Sequence, residues 1–275
     1  MKILDGLELA SYIKERQLKQ VRALRQSWKI IPRLAIVQVG DDSVTDKYAR
    51  LKSDYGKDIM VEVDVYNLSG DELLGKIKSL NRDKTTHGIV VQLPLAGSNL
   101  TVQAINSVAP AKDVDGLGDK PLFTPATATA IDWLLAGYNV NLVDKKIAII
   151  GKGRLVGAPL AKLWKSCGLD VTICDSKTID LTKALSSIDI IVSATGIPGL
   201  VKSKMIKPNA VVVDAGTASE HGKIVGDLAD DVRERSDLTI TPIKGGVGPL
   251  TVTALFDNVI LASRKIADQQ GQKDV

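Results

Sequence analysis

Short apolar runs alternate with longer amphipathic stretches along the chain. Runs rich in Val, Ile and Leu predict strands over 34–39, 61–66, 88–92, 146–150, 170–174, 188–193, 210–214 and 238–241. Between them, apolar positions at helical spacing predict helices over 6–25, 44–57, 71–80, 101–108, 127–136, 157–165, 181–185 and 251–266. This alternation is the pattern of an α/β protein, in which helices cross over between parallel strands. A stronger strand–helix–strand pattern opens at Lys146, which puts a domain boundary within 115–141. The last helix follows a glycine-rich segment and is expected to pack back on the first domain. The division expected is 1–125 plus 251–275, and 126–250. The polar stretch 267–275 is expected to fray.

Composition narrows the class. The chain has 275 residues, 44% hydrophobic and 25% charged, as ordinary globular proteins do. The longest uncharged stretch, 88–111, is broken by Pro94, Asn99, Asn106 and Pro110 and cannot span a bilayer. The first residues carry neither an apolar signal core nor an Arg-rich leader, so a cytoplasmic protein is expected. Net charge is +4 with both signs interspersed, and aromatics are only 4%, which argues against nucleic acid as a partner. Cys167 and Cys174 sit in apolar segments and are expected to be buried free thiols. With two His and two Cys in all, no structural zinc site is expected.

Candidate chemistry begins with Lys146-Ile-Ala-Ile-Ile150, followed directly by Gly151-Lys-Gly-Arg-Leu-Val-Gly157 and a helix. Glycines there permit a tight turn, and a helix N-terminus offers N–H groups and a positive dipole end to a pyrophosphate. The plain alternative is an ordinary strand-to-helix turn. Asp175, 18 residues past Gly157, ends the next strand, where an acid commonly binds ribose hydroxyls. Such a carboxylate favours NAD, whereas Lys152 and Ser176-Lys177 could hold the extra phosphate of NADP; electrostatics leaves both open. Ser193-Ala-Thr-Gly196 and Asp214-Ala-Gly-Thr217 end two further strands.

In the amino-terminal half, Tyr48 and Lys52 are helical neighbours. Val44, Tyr48, Leu51 and Tyr55 form a stripe expected to face the core, with Lys52 at its border, where burial lowers a lysine pKa. Gln92 ends a buried strand, Lys112-Asp-Val-Asp-Gly116 is a polar loop, and Thr241 to Thr251 is a glycine-rich loop opening a helix. Each also has a plain structural reading: a snorkelling lysine, a strand-capping amide, a turn, a flexible linker.

Taken in order, these segments resemble the bifunctional methylenetetrahydrofolate dehydrogenase/methenyltetrahydrofolate cyclohydrolase family. The matching text is Tyr48-x-x-x-Lys52, Val91-Gln-Leu-Pro-Leu95, Lys112-Asp-Val-Asp-Gly116, Thr124-Pro125, Val156-Gly-Ala-Pro159, Ala194-Thr-Gly196, Gly226-Asp227 and Gly245-Gly-Val-Gly-Pro-Leu-Thr251. The resemblance implies a two-domain α/β fold: a folate-binding catalytic domain and a Rossmann-type parallel-sheet NAD(P) domain, with a cleft between them. It implies Lys52 as the central catalytic residue, Tyr48 positioning the pterin, Gln92 orienting Lys52 and tuning its pKa, and Asp115 hydrogen-bonding the pterin ring. Leu93, Gly248, Pro249 and Thr251 would complete the folate contacts.

By the same resemblance, Gly151, Lys152, Gly153, Arg154, Val156, Gly157, Asp175, Ser176, Thr195, Gly196 and Thr217 would contact the cofactor. NADP is the cofactor implied, with NAD kept open by Asp175. A homodimer is implied too. Lys152, Gly153 and Asp175 stand where the family usually has Arg, Ser and His, and Ala96, Gly118, Thr127 and Lys244 are further departures. Rival readings are another two-domain dehydrogenase of the shikimate type, which would not require Gln92 and Asp115, and a non-catalytic dinucleotide or folate sensor.

Overall fold

A computed structural model describes residues 1–40, 43–95, 98–220 and 223–269. Ala96 and the tail beyond 269 lie outside the described residues, as does the side chain of Val44. In chain order the elements begin β1 (Lys2–Ile3), α1 (Gly6–Ser27), β2 (Arg33–Val39), α2 (Ser43–Asp58), β3 (Glu62–Leu68), α3 (Gly70–Arg82), β4 (Gly88–Val91) and α4 (Ser98–Ser107). Next come α5 (Ala126–Gly137), β5 (Ile147–Ile150), α6 (Gly157–Ser166), β6 (Val171–Cys174), α7 (Leu181–Leu185), β7 (Ile190–Ser193) and β8 (Val211–Asp214). The chain closes with β9 (Ala218–Glu220), β10 (Lys223–Val225), α8 (Asp230–Arg233), β11 (Thr239–Ile240) and α9 (Val247–Gln269).

These elements form two compact units, one of residues 11–126 and 252–275, the other of 1–10 and 127–251. The first is built on a parallel sheet in the order β3-β2-β4. Ala35 and Val37 of β2 pack with Leu73, Ile77 and Leu80 of α3 and with Ala104 and Ile105 of α4. On the opposite face of β2, Leu34 and Ile36 are also fully buried, as expected of a parallel strand covered on both sides.

Helix α2 corrects the expected apolar stripe. Its buried positions are Thr45, Ala49 and Gly56, while Leu51 is 49% exposed and Tyr48 and Tyr55 are only partly buried. The helix turns its small residues inward: a side chain at Gly56 would collide with Val63 of the neighbouring strand β3. Close approach therefore decides the rotation, and Lys52 is carried inward with it.

The second unit holds a six-stranded sheet in the order β1-β11-β8-β7-β5-β6, parallel throughout. Strand β1 joins it through Lys2 and Ile3, and Leu4 N–H donates to Ile240 O at 2.9 Å. The first ten residues thus belong to this sheet's unit. Strands β1, β9 and β10 and helix α8 were not expected; elements of two to four residues carry no readable period. Successive strands run outward from β5 on opposite sides, to β6 and then to β7, so the strand order reverses between β5 and β7. Cys174 is buried at the end of β6, but Cys167 is exposed, because it lies beyond α6 as its C-cap; both thiols are free. Among the described residues no helix is long and apolar enough to cross a membrane.

Candidate active site

In the first unit, α2 and the end of β4 bring Lys52 and Gln92 together. Lys52 Nζ donates to Gln92 Oε1 at 2.6 Å. Gln92 is itself held, its N–H donating to Val37 O at 2.8 Å and its Nε2 to Leu93 O at 3.2 Å. The next peptide, Leu93–Pro94, is cis. Tyr48 lies one turn before Lys52 on α2 and is partly buried. Burial lowers the Lys52 pKa below its ordinary value, and the Asp115 charge opposes part of that shift. Burial raises Asp115, while Lys52 holds it down and Asp113 adds to the rise.

The two aspartates of the Lys112–Gly116 loop have separate duties. Asp113 accepts N–H donations from Gly116 at 3.0 Å and Gly118 at 2.8 Å, which shapes the turn. That leaves Asp115 as the carboxyl electrostatically coupled to Lys52. Sequence reasoning missed Asn258. Its buried amide donates to Val114 O at 2.9 Å and Thr124 O at 3.0 Å, tying the loop to α9. The signal was there: an asparagine between Phe256 and Val259, inside an apolar helical run. A partly desolvated amine, oriented by an amide and neighbouring a carboxyl, can accept and return a proton.

Gly248, Pro249 and Thr251 lie in the first turn of α9, where Thr251 Oγ1 donates to Val247 O at 3.3 Å; they belong to the second unit. The remaining expected positions gather at the carboxyl ends of that unit's strands. Gly151 follows β5 with φ +99°, and a side chain at Gly157 would collide with the Gly151 carbonyl. The turn from β5 into α6 is therefore drawn tight and accepts only glycine there. No side chain caps the N-terminus of α6, and Lys152, Gly153 and Arg154 are exposed beside it, with Val156 at the N-cap. A tight glycine turn, an uncapped helix start and exposed basic side chains fit a dinucleotide's phosphates.

At the end of β6, Asp175 and Ser176 are exposed, and one Asp175 oxygen accepts Lys177 N–H at 2.9 Å. Thr195, Gly196 and Thr217 follow β7 and β8.

Both halves of the chain match known proteins. The family model "Tetrahydrofolate dehydrogenase/cyclohydrolase, catalytic domain" matches residues 4–115. Its companion, the NAD(P)-binding domain of the same family, matches 125–267. A relative from Hydrogenobaculum sp., "Bifunctional protein FolD", is 37% identical over 96% of this chain and 99% of its own. The crystal structure of the bifunctional enzyme FolD from Campylobacter jejuni superposes with a TM-score of 0.90 at 34% identity, covering 97% of this chain and 99% of that one. The Trypanosoma brucei dehydrogenase-cyclohydrolase, solved with NADP cofactor and inhibitor, gives 0.89 at 30% identity, covering 96% and 98%. On these matches across both units, the chain belongs to the tetrahydrofolate dehydrogenase/cyclohydrolase family.

Proposed function

We propose that this chain oxidises 5,10-methylenetetrahydrofolate to 5,10-methenyltetrahydrofolate with NADP and then hydrolyses the product to 10-formyltetrahydrofolate. The observation that carries the reading is the Lys52–Gln92 hydrogen bond of 2.6 Å, with the lysine's pKa lowered by burial beside Asp115. A shikimate-type enzyme has no call for that pair, and a sensor needs no such lysine.

The Gly151–Gly157 turn and the start of α6 would hold the pyrophosphate of NADP, with Lys152, Arg154 and Ser176 toward its additional phosphate and Asp175 toward the ribose. Thr195, Gly196 and Thr217 would hold the nicotinamide half. Bound there, NADP would supply the acceptor for the hydride of the one-carbon bridge. This step needs orientation more than acid or base. Tyr48 supports the pterin face, Asp115 hydrogen-bonds its ring, and Leu93, Gly248, Pro249 and Thr251 complete the folate contacts.

In the second step Lys52, as the neutral amine, takes a proton from the water that attacks the methenyl carbon and returns it as the ring opens. Gln92 fixes the direction of that amine. The protein works in the cytoplasm as a homodimer, for which sedimentation equilibrium would return twice the chain mass. Purified protein mixed with 5,10-methylenetetrahydrofolate and NADP tests the whole reading. Reduced cofactor should appear while the methenyl absorbance stays low. Accumulating methenyl would remove the cyclohydrolase, and no turnover would remove the reading.

A further inference from the structure

Asp227 is fully buried, yet no catalytic step uses it. Its Oδ2 accepts from Ser193 Oγ at 2.6 Å, Thr195 N–H at 2.7 Å and Thr195 Oγ1 at 2.9 Å. All three donors lie at the end of β7 or in the turn after it. Thr195 Oγ1 in turn accepts Ile197 N–H at 3.1 Å, so the whole segment 193–197 hangs from one carboxylate oxygen. The other oxygen has no partner among the described residues. It faces Gly216, where any side chain would collide with it.

The adjoining turn is tied to the same residue. Asp227 N–H donates to Asp214 Oδ1 at 3.0 Å, and Gly216 N–H donates to that same oxygen at 3.1 Å. Asp214 is compensated by Arg233, whose Nη2 lies 2.9 Å from Oδ2. Among the described residues, Asp227 forms no ion pair with a basic side chain and is held by hydrogen-bond donors. Desolvating a carboxylate is costly, and packing alone would be met as well by an apolar side chain. The expense falls where an open parallel sheet binds its ligand, at the carboxyl ends of strands beside the reversal of strand order.

We propose that Asp227 is a positioning residue for the dehydrogenase step, holding the turns after β7 and β8 in the shape that receives the nicotinamide half of NADP. The inference rests on the dehydrogenase reading above. Asp227→Asn keeps the shape but removes the charge, and its amide nitrogen must face either the three donors or the unpartnered space against Gly216. Measured calorimetrically on the full chain, the Kd for NADP should rise about ten- to a hundredfold, the cost of weakening hydrogen bonds to a charged group. The KM for NADP should rise by the same factor.

Cyclohydrolase turnover of 5,10-methenyltetrahydrofolate, assayed without cofactor, should stay at the wild-type rate, since Lys52 and Gln92 belong to the other unit. Ser193→Ala removes one donor and should shift NADP affinity the same way by a smaller factor; it decides the matter if Asp227→Asn does not fold. Wild-type NADP affinity in the folded variants would overturn the proposal. So would an equal loss of both activities with a lowered melting temperature, the result of a purely structural role. A wild-type chain that binds no NADP would overturn the dehydrogenase reading itself.

Discussion

At Lys52 burial and charge pull in opposite directions. Desolvation lowers its pKa from 10.5, and Asp115 restores part of the loss. A proton acceptor must be neutral, so cyclohydrolase kcat/KM should rise with pH and level off at the depressed Lys52 value, below that of a free lysine. Gln92→Glu would set a carboxylate against the ammonium and raise its pKa, moving the rise to higher pH. A profile that does not move would separate Gln92 from the tuning of Lys52, and Lys52→Met with full cyclohydrolase activity would refute the mechanism. Asp175 poses the second question at this scale. One of its carboxylate oxygens accepts Lys177 N–H, and the residue is exposed at the end of β6, where the proposed function directs it toward the ribose. Asp175→His should raise the NADP-to-NAD selectivity ratio. An unchanged ratio would show that Lys152, Arg154 and Ser176 decide it alone.

Among the elements, α2 and α9 do the positioning. Helix α2 seats its small face, Ala49 and Gly56, and thereby turns Lys52 toward the end of β4. Helix α9 reaches the loop of Asp115 through Asn258. Asn258→Ala would leave the carbonyls of Val114 and Thr124 without their side-chain donor, in a largely buried setting. A destabilisation of about 1–3 kcal/mol follows from the lost hydrogen bonds. Cyclohydrolase activity should fall as well, because the Asp115 loop loses its anchor. Urea unfolding and steady-state kinetics on the same variant check both, and unchanged values would reduce Asn258 to a bystander.

For the molecule as a whole, acid stability has an identifiable origin. His87, only 6% exposed, accepts Arg33 N–H on Nδ1 at 3.2 Å. Burial, with Lys112 next in weight, lowers its pKa from 6.5 to about 4. Between those values the unfolded chain binds a proton that the folded chain refuses. The folded-state pKa is the depressed one, so this stability is present above pH 6.5 and is lost as pH falls toward about 4. The full loss is about 3 kcal/mol. His87→Gln should flatten the denaturant midpoint across that window, and an unaltered slope would assign the acid sensitivity to other groups.

Local pattern carried much of this protein. The strand and helix periods needed no tertiary knowledge, because a buried parallel strand must be apolar on both faces and a helix on one. The glycine turn after Ile150 was legible by itself, because a tight strand-to-helix turn restricts residue type, whereas Tyr48, Lys52, Gln92 and Asp115 stood out only through the resemblance of their ordered segments to a known family. Only the tertiary structure decided which face of α2 is inward, since Gly56 against Val63 outweighs the apolarity of Leu51. It also decided that Lys2 and Ile3 complete the larger sheet, a pairing across more than two hundred residues that no local period announces. Asp113 was separated from Asp115 by the turn's own N–H groups. Asp227 stood in the sequence only as part of the matching Gly226-Asp227 pair, without a duty of its own, and its place between the ends of β7 and β8 came from the tertiary structure, because burial and hydrogen bonding are properties of the assembled sheet rather than of the sequence near it.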